Sequence, residues 1–225
     1  MPELKKYFLL ILIGSSFFLQ GCFDMIEQLT LQDNGTGSMQ LVVNLSRSRT
    51  QLNSILKMKK VNGHRVPSKA EIQKSASDLK EKLENMDGLS DVNTQIDFNN
   101  FIATLDFKFS RISHVNAALQ QLGAKLKDQN QGFREIYRYD PVSFSFLRVN
   151  NFALGVEYRK MSLADREIFS DATYTSIYRF NRNILSVQNP KSKISANGRA
   201  VMLKSSAIDL IKGRTKIDNQ ITLQK

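Results

Sequence analysis

The chain has 225 residues, with 32 Lys and Arg against 21 Asp and Glu, a formal net charge of +11, one cysteine and no tryptophan. Its length suits one large domain or two small ones, and 41% apolar content with four prolines excludes a disordered tether. The single cysteine excludes a disulfide framework and a cysteine-based metal site.

Lys5 and Lys6 precede an apolar run from Tyr7 to Leu19 that ends at the small residue Gly21. A positive start, a short apolar centre and a small residue at the cut make a secretory signal. The run is shorter than the roughly 20 residues a transmembrane helix needs. It closes on "LQGC", Leu19 to Cys22, which resembles the lipobox of bacterial lipoproteins. That resemblance implies cleavage between Gly21 and Cys22, acyl chains on Cys22, and residues 22–25 as a short tether to a domain spanning 26–225. One chain anchors marginally at about 0.8 kcal/mol per buried methylene, whereas a multiply acylated terminus holds firmly. Gln20 departs from the small residue usual before the glycine. The "FDMIE" that follows lacks both an aspartate next to the cysteine and an acidic Ser/Asp-rich run. Both features lean towards the periplasmic face of an outer membrane.

Losing Lys5, Lys6 and Glu3 with the leader keeps the mature charge near +10. Outside the cytoplasm, such a chain favours anionic lipid headgroups or an acidic envelope protein, not nucleic acid.

"MIEQLTL", "DNGTG" and "SMQLVVNL" predict a hairpin with Met39, Leu41, Val43 and Leu45 on one face. Leu52, Ile55 and Leu56 mark a short helix. Ser68 and Glu71 have capping-box spacing and open a second helix, whose face is Ile72, Ala76, Leu79, Leu83 and Met86. Gly88 is placed as its C-terminal cap.

"VNTQIDFNNFIATLDFKF" predicts a hairpin turning at Asn99-Asn100 with positive φ at both. It pairs Ile96 with Ala103, Thr94 with Leu105 and Val92 with Phe107, and sets Asp91 against Lys108. A helix then turns Ile112, Val115, Leu119 and Leu122 inward and stops at Gly123. Residues 123–132 read as a loop and a subdomain boundary.

Two strands follow around Asp140-Pro141, helical structure over 150–170, then strands in "TYTSIYRF", "ILSV", "KISANGRAVML" and "KIDNQITL". Asn197-Gly198 predicts a turn pairing Ile194 with Val201. The fold class is therefore α+β: antiparallel sheets from β-hairpins with helices on one face, in the order ββααββα followed by a strand-rich C-terminal part. The stretch "YRFNRNILSVQN…ISANGRAVMLKSSAIDLIKG", together with the lipobox, is similar to exported lipoproteins of the Bacteroidota, a resemblance that implies no activity.

No nucleophile elbow, phosphate loop or zinc motif is present. His64 and His114 stand fifty residues apart without spaced partners, so no metal site, cofactor or catalytic residue is assigned. Asp165 with Glu167, or Asp209 with Asp218, are the carboxylate pairs that remain.

Charge patterning says more. Arg47, Arg49, Lys57, Lys59, Lys60, Arg65 and Lys69 occur with no acid between Arg47 and Ala70. Arg179, Arg182, Lys191, Lys193, Arg199 and Lys204 do the same between Ala172 and Ile208. If the two stretches share a face, it faces an anionic surface, with an attraction of about 1 kcal/mol per charge. Tyr137, Tyr139, Phe144, Phe146, Tyr174, Tyr178 and Phe180 form core, or line a cavity for an apolar ligand. The leading expectation is a non-enzymatic binding or scaffolding module anchored by Cys22. The alternative is a periplasmic carrier of lipid or another hydrophobic ligand.

Overall fold

The computed structural model describes residues 23–123, 135–150 and 154–225. The leader with Cys22, and residues 124–132 of the expected boundary loop, lie outside the described residues.

β1 (Asp24–Leu31) and β2 (Gly37–Asn44) form the first hairpin. Gly37 is required by space: a β-carbon there would stand 2.0 Å from the Thr30 carbonyl oxygen. A tight turn at Ser46–Ser48 leads into α1 (Arg49–Ile55). A small hairpin of β3 (Lys60–Val61) and β4 (His64–Arg65) follows. Its Asn62-Gly63 turn has φ of 48° and 81°, the doubly positive geometry that Asn-Gly favours.

The capping box forms as expected at the head of α2 (Lys69–Glu84): Ser68 Oγ accepts from the Glu71 amide and the Glu71 carboxylate accepts from the Ser68 amide. Leu83 is fully buried, with Leu79 and Met86 packed beside it. Gly88 is not the cap. Asn85 closes the helix, its side-chain amide donating to the Glu81 carbonyl, while Gly88 (φ 76°) opens the next strand.

β5 (Leu89–Asp97) and β6 (Ile102–Phe109) keep the expected pairs Ile96–Ala103 and Thr94–Leu105. Two details differ. The positive φ of the turn belongs to Phe101 (55°), because the Asp97 carboxylate takes up the Asn99 and Asn100 amides and passes the reversal on. A bulge at Asp91 (φ 51°) breaks the register between Ser90 and Asn93, so Ser90 opposes Lys108, yet Asp91 still reaches Lys108 at 2.7 Å.

α3 (Ile112–Gly123) buries Val115, and also Ala118. β7 (Tyr137–Asp140) and β8 (Ser145–Arg148) come next, then α4 (Leu154–Lys160) and α5 (Leu163–Glu167). β9 (Thr173–Phe180), β10 (Ile184–Val187), β11 (Lys193–Ile194) and β12 (Ala200–Ser206) follow, with Ile194 opposite Val201 as expected. α6 (Ala207–Ile211), not anticipated from sequence, precedes β13 (Asn219–Leu223).

The fold is α+β. A seven-stranded sheet runs β11-β12-β9-β1-β2-β6-β5, and a four-stranded sheet runs β10-β13-β8-β7. The last strand therefore joins the smaller sheet. One pairing departs from the antiparallel expectation: β1 and β9 are parallel, from Asp24–Thr173 to Leu31–Phe180. The smaller sheet covers one face of the larger around β9, and α2 and α3 continue that layer over β5 and β6. Leu29, Leu31, Met39, Phe107, Tyr137, Phe146, Tyr178 and Ile221 form the core between the layers.

Candidate functional site

β1 begins at Asp24, two positions beyond Cys22, and its alternation turns Glu27, Leu29 and Leu31 to the core side. Glu27 is thus a carboxylate in an apolar row. On parallel β9 its partner is Ser176, whose small side chain leaves Tyr174 and Tyr178 to close from either side. Both tyrosine hydroxyls donate to Glu27 at 2.7 Å. From β8, Arg148 brings Nε to 3.4 Å from Glu27 and lays its guanidinium 5.1 Å from the Tyr137 ring centre. Arg148 Nη1 also donates to the Val149 carbonyl.

All of these groups are buried. Burial alone would raise the Glu27 pKa; the Arg148 charge and the tyrosine hydroxyls outweigh it and hold the carboxyl below its ordinary value. Burial and the Glu27 charge push the three tyrosines up. Burial also opposes the Arg148 charge, but Glu27 beside it prevails and keeps the guanidinium protonated. The cluster is a fixed ion pair with two donated hydroxyls, fastening the smaller sheet to the larger. It was missed at the sequence level. The available signal was a glutamate in line with Leu29 and Leu31, and an arginine two residues after Phe146 on the same strand face.

The aromatic residues pack on one another. Phe146 lies 5.0 Å from Tyr178 and 5.6 Å from Phe180, and Tyr137 stacks on Phe146 at 5.9 Å. These rings occupy the space between the sheets. Tyr139 and Phe144 lie at its margin, Phe144 under the Arg182 guanidinium at 4.0 Å.

The first basic stretch gathers at the end where β1 begins, while the second is spread along the sheet. Arg47 pairs at 2.6 Å with Asp24, the first residue of β1. Arg49, Lys57, Lys59, Lys60, Arg65 and Lys69 follow around α1, the β3–β4 hairpin and the start of α2, all exposed. Arg65 pairs with Glu71 and, with the Ser68 cap, holds that carboxyl down to about 2. Lys69 stands 5.3 Å from the Phe98 ring centre.

Arg179 instead lies level with Thr30, near the last residue of β1, about 20 Å along the strand at ~3.3 Å per residue. Arg182 pairs at 2.7 Å with Asp33 in the β1–β2 loop, and Arg199 donates to Asn183. Lys191 donates to Thr215, while Lys193 and Lys204 sit on the outer strands β11 and β12. Lys204, level with Thr175 and Ile26, lies near the start of β1, so that end carries the first stretch together with Lys204.

That same end gathers further elements. The Phe23 carbonyl accepts from the Thr173 amide, and the Phe23 ring meets Phe169 at 5.7 Å; Phe169 in turn meets Tyr158 of α4. His64 reaches Asp165 of α5 at 3.4 Å, which ties the small hairpin to this corner. An open groove of about 700 Å³ runs between α5 and α6, edged by Leu163, Arg166, Ile208 and Lys212. A second groove of about 580 Å³ lies at the opposite end of β1, lined by Thr30, Thr36, Ser38, Ser90 and Ser110 with Phe109 as its floor.

The remaining candidates are engaged locally. His114 shares a hydrogen bond with Ser110 at 3.1 Å and covers Gly88. Asp165 caps α5 with Ser162, Asp209 pairs with Arg214, and Asp218 accepts from the Asn150 amide. Among the described residues no cluster of His, Cys, Asp and Glu has a metal-binding arrangement, and no helix is long and apolar enough to cross a membrane.

No protein-family model matches the chain, and no curated protein matches it in sequence. Among solved structures, the NMR structure of the folded domain of the Mycobacterium tuberculosis protein LppM is similar, with a TM-score of 0.42, 12% identity and 91% of each chain covered.

Proposed function

We propose that this chain is a lipid-anchored protein of the bacterial cell envelope, a non-catalytic module that works by binding. The observation carrying this reading is the position of the lipobox cysteine: Cys22 falls one residue before Phe23, at the head of the central strand. The leader ends where the fold starts. Acyl chains on Cys22 would hold the domain against the bilayer with its first basic stretch beside them, and that placement favours an anionic surface as the first contact. The outer membrane is the compartment the residues after Cys22 favour. The ring-filled space between the sheets favours binding at the surface over carriage of an apolar ligand inside.

The test is metabolic labelling with an alkynyl fatty acid in a bacterial host, followed by fractionation. Wild-type protein should carry the label and sediment with membranes. Cys22→Ser should lose the label and leave the acylated membrane pool. A labelled Cys22→Ser variant, or an unlabelled wild-type protein in the soluble fraction, defeats the reading.

A further inference from the structure

Nine large apolar side chains are exposed among the described residues; Met25, Met58, Val156, Leu163 and Ile168 belong to the β1-start end, and Val142, Leu185, Ile194 and Met202 lie elsewhere. Leu163, at 81%, and Met58, at 51%, are the most exposed of the five. They sit on separate elements that the fold brings together. Phe23 touches Phe169, the residue after Ile168; α4 and α5 flank it; His64 couples the hairpin beyond Met58 to α5. Around them stand the exposed cations Arg49, Lys57, Lys59, Lys60 and Lys212, with the exposed acid Glu167 beside Leu163. Apolar tips among an excess of cations suit the boundary between acyl chains and anionic headgroups.

We infer that this end of the domain is a membrane-docking surface, its occupant the anionic bilayer that holds the Cys22 acyl chains, with Leu163, Ile168 and Met58 inserted at headgroup depth. The inference rests on the lipid-anchor reading. Its own support is the length of the connection. A single peptide step of about 3.8 Å separates Cys22 from Phe23, so the domain has no slack to stand away from the surface. Phe23 is also tied down at Thr173 and Phe169, which fixes the direction in which the chain enters. The strands of the large sheet then rise from the membrane. The Thr/Ser-lined groove and the Arg179–Arg182 corner stand at the far end, one strand length of about 26 Å away.

The chain has no tryptophan, so a single introduced one reports its own position. Full-length acylated protein would be reconstituted into phosphatidylglycerol-containing vesicles with lipids brominated high on the acyl chain. Leu163→Trp and Ile168→Trp should lose more than about half of their emission and shift to the blue, as expected for insertion of about 5–10 Å. Leu185→Trp, at the far end, should do neither. Reversing Lys57, Lys59 and Lys60 to Glu in the Leu163→Trp background should weaken its quenching in anionic vesicles. Intact mass on the same samples reports acylation. An unacylated Cys22 removes the anchor reading and this one with it; acylated protein in which both near-end tryptophans are quenched no more than Leu185→Trp overturns the docking alone.

Discussion

Glu27 and Arg148 show what one buried charge demands of its neighbours. Removing one partner leaves an ion in a place built for a pair. Glu27→Gln is expected to cost about 3–5 kcal/mol in urea unfolding, because Arg148 stays charged with no carboxylate. Glu27→Leu with Arg148→Met should cost far less, since no ion is left behind; a double variant as damaged as the single would contradict this account. The pH dependence follows from the direction of the shift. In the wild type the Glu27 pKa lies below its ordinary value of 4.5. The unfolded chain therefore takes up the proton first as pH falls. The stabilisation is complete above that ordinary value and is lost as pH drops through the folded one. Arg148→Met removes the opposing charge and leaves only the tyrosine hydroxyls against burial, so the folded pKa rises relative to the wild type. The stability difference between variant and wild type is then full near neutral pH and narrows on acidification. Unfolding curves of the two proteins should therefore lie closer at acid pH than at pH 7.

At the scale of elements, the α2–β5 connection turns on Gly88. Its φ of 76° disfavours any side chain, and a β-carbon would meet the His114 imidazole at 2.1 Å. Gly88→Ala should lose about 1–2 kcal/mol from the backbone conformation and more from displacing the ring at the head of α3. Adding His114→Ala should return the steric part and leave the conformational part, a coupling that a thermal-unfolding cycle measures. If the two losses simply add, the imidazole does not limit the glycine.

Elements of this size were also where the sequence was most readable. The β5–β6 register, the α2 capping box and the α3 face come from alternation or spacing within one segment, so each is set by local chemistry. What escaped was non-local. Nothing near Asp97 reveals that its carboxylate will absorb two turn amides and shift the left-handed residue to Phe101. Nothing near Glu27 names Tyr174 and Tyr178, about 150 positions away, as its donors. The basic stretches were visible as composition, while the level along β1 at which each cation falls depends on the strand pairing.

The whole molecule is organised by that strand. β1 lies inside the seven-stranded sheet with β2 on one side and β9 on the other, so strands from both sides of the 123–132 segment share one hydrogen-bonded surface. The β1–β9 seam is parallel over eight residue pairs, and the Glu27–Tyr174–Tyr178 bonds cross it. Opening the seam would unpair two full strands and strip the buried carboxylate of its donors at once. The two halves are therefore expected to unfold together. In native-state hydrogen exchange under increasing denaturant, the amides of Leu105 and Phe107 in β6 and of Ser176 and Tyr178 in β9 should reach the same opening free energy. A proline in mid-β1, Gln28→Pro, should lower protection in both groups in parallel and by at least about 3 kcal/mol, since a central strand tolerates neither the lost donor nor the ring. If β9 and β12 exchanged through an opening well below that of β6, the seam would be a contact between two independent units.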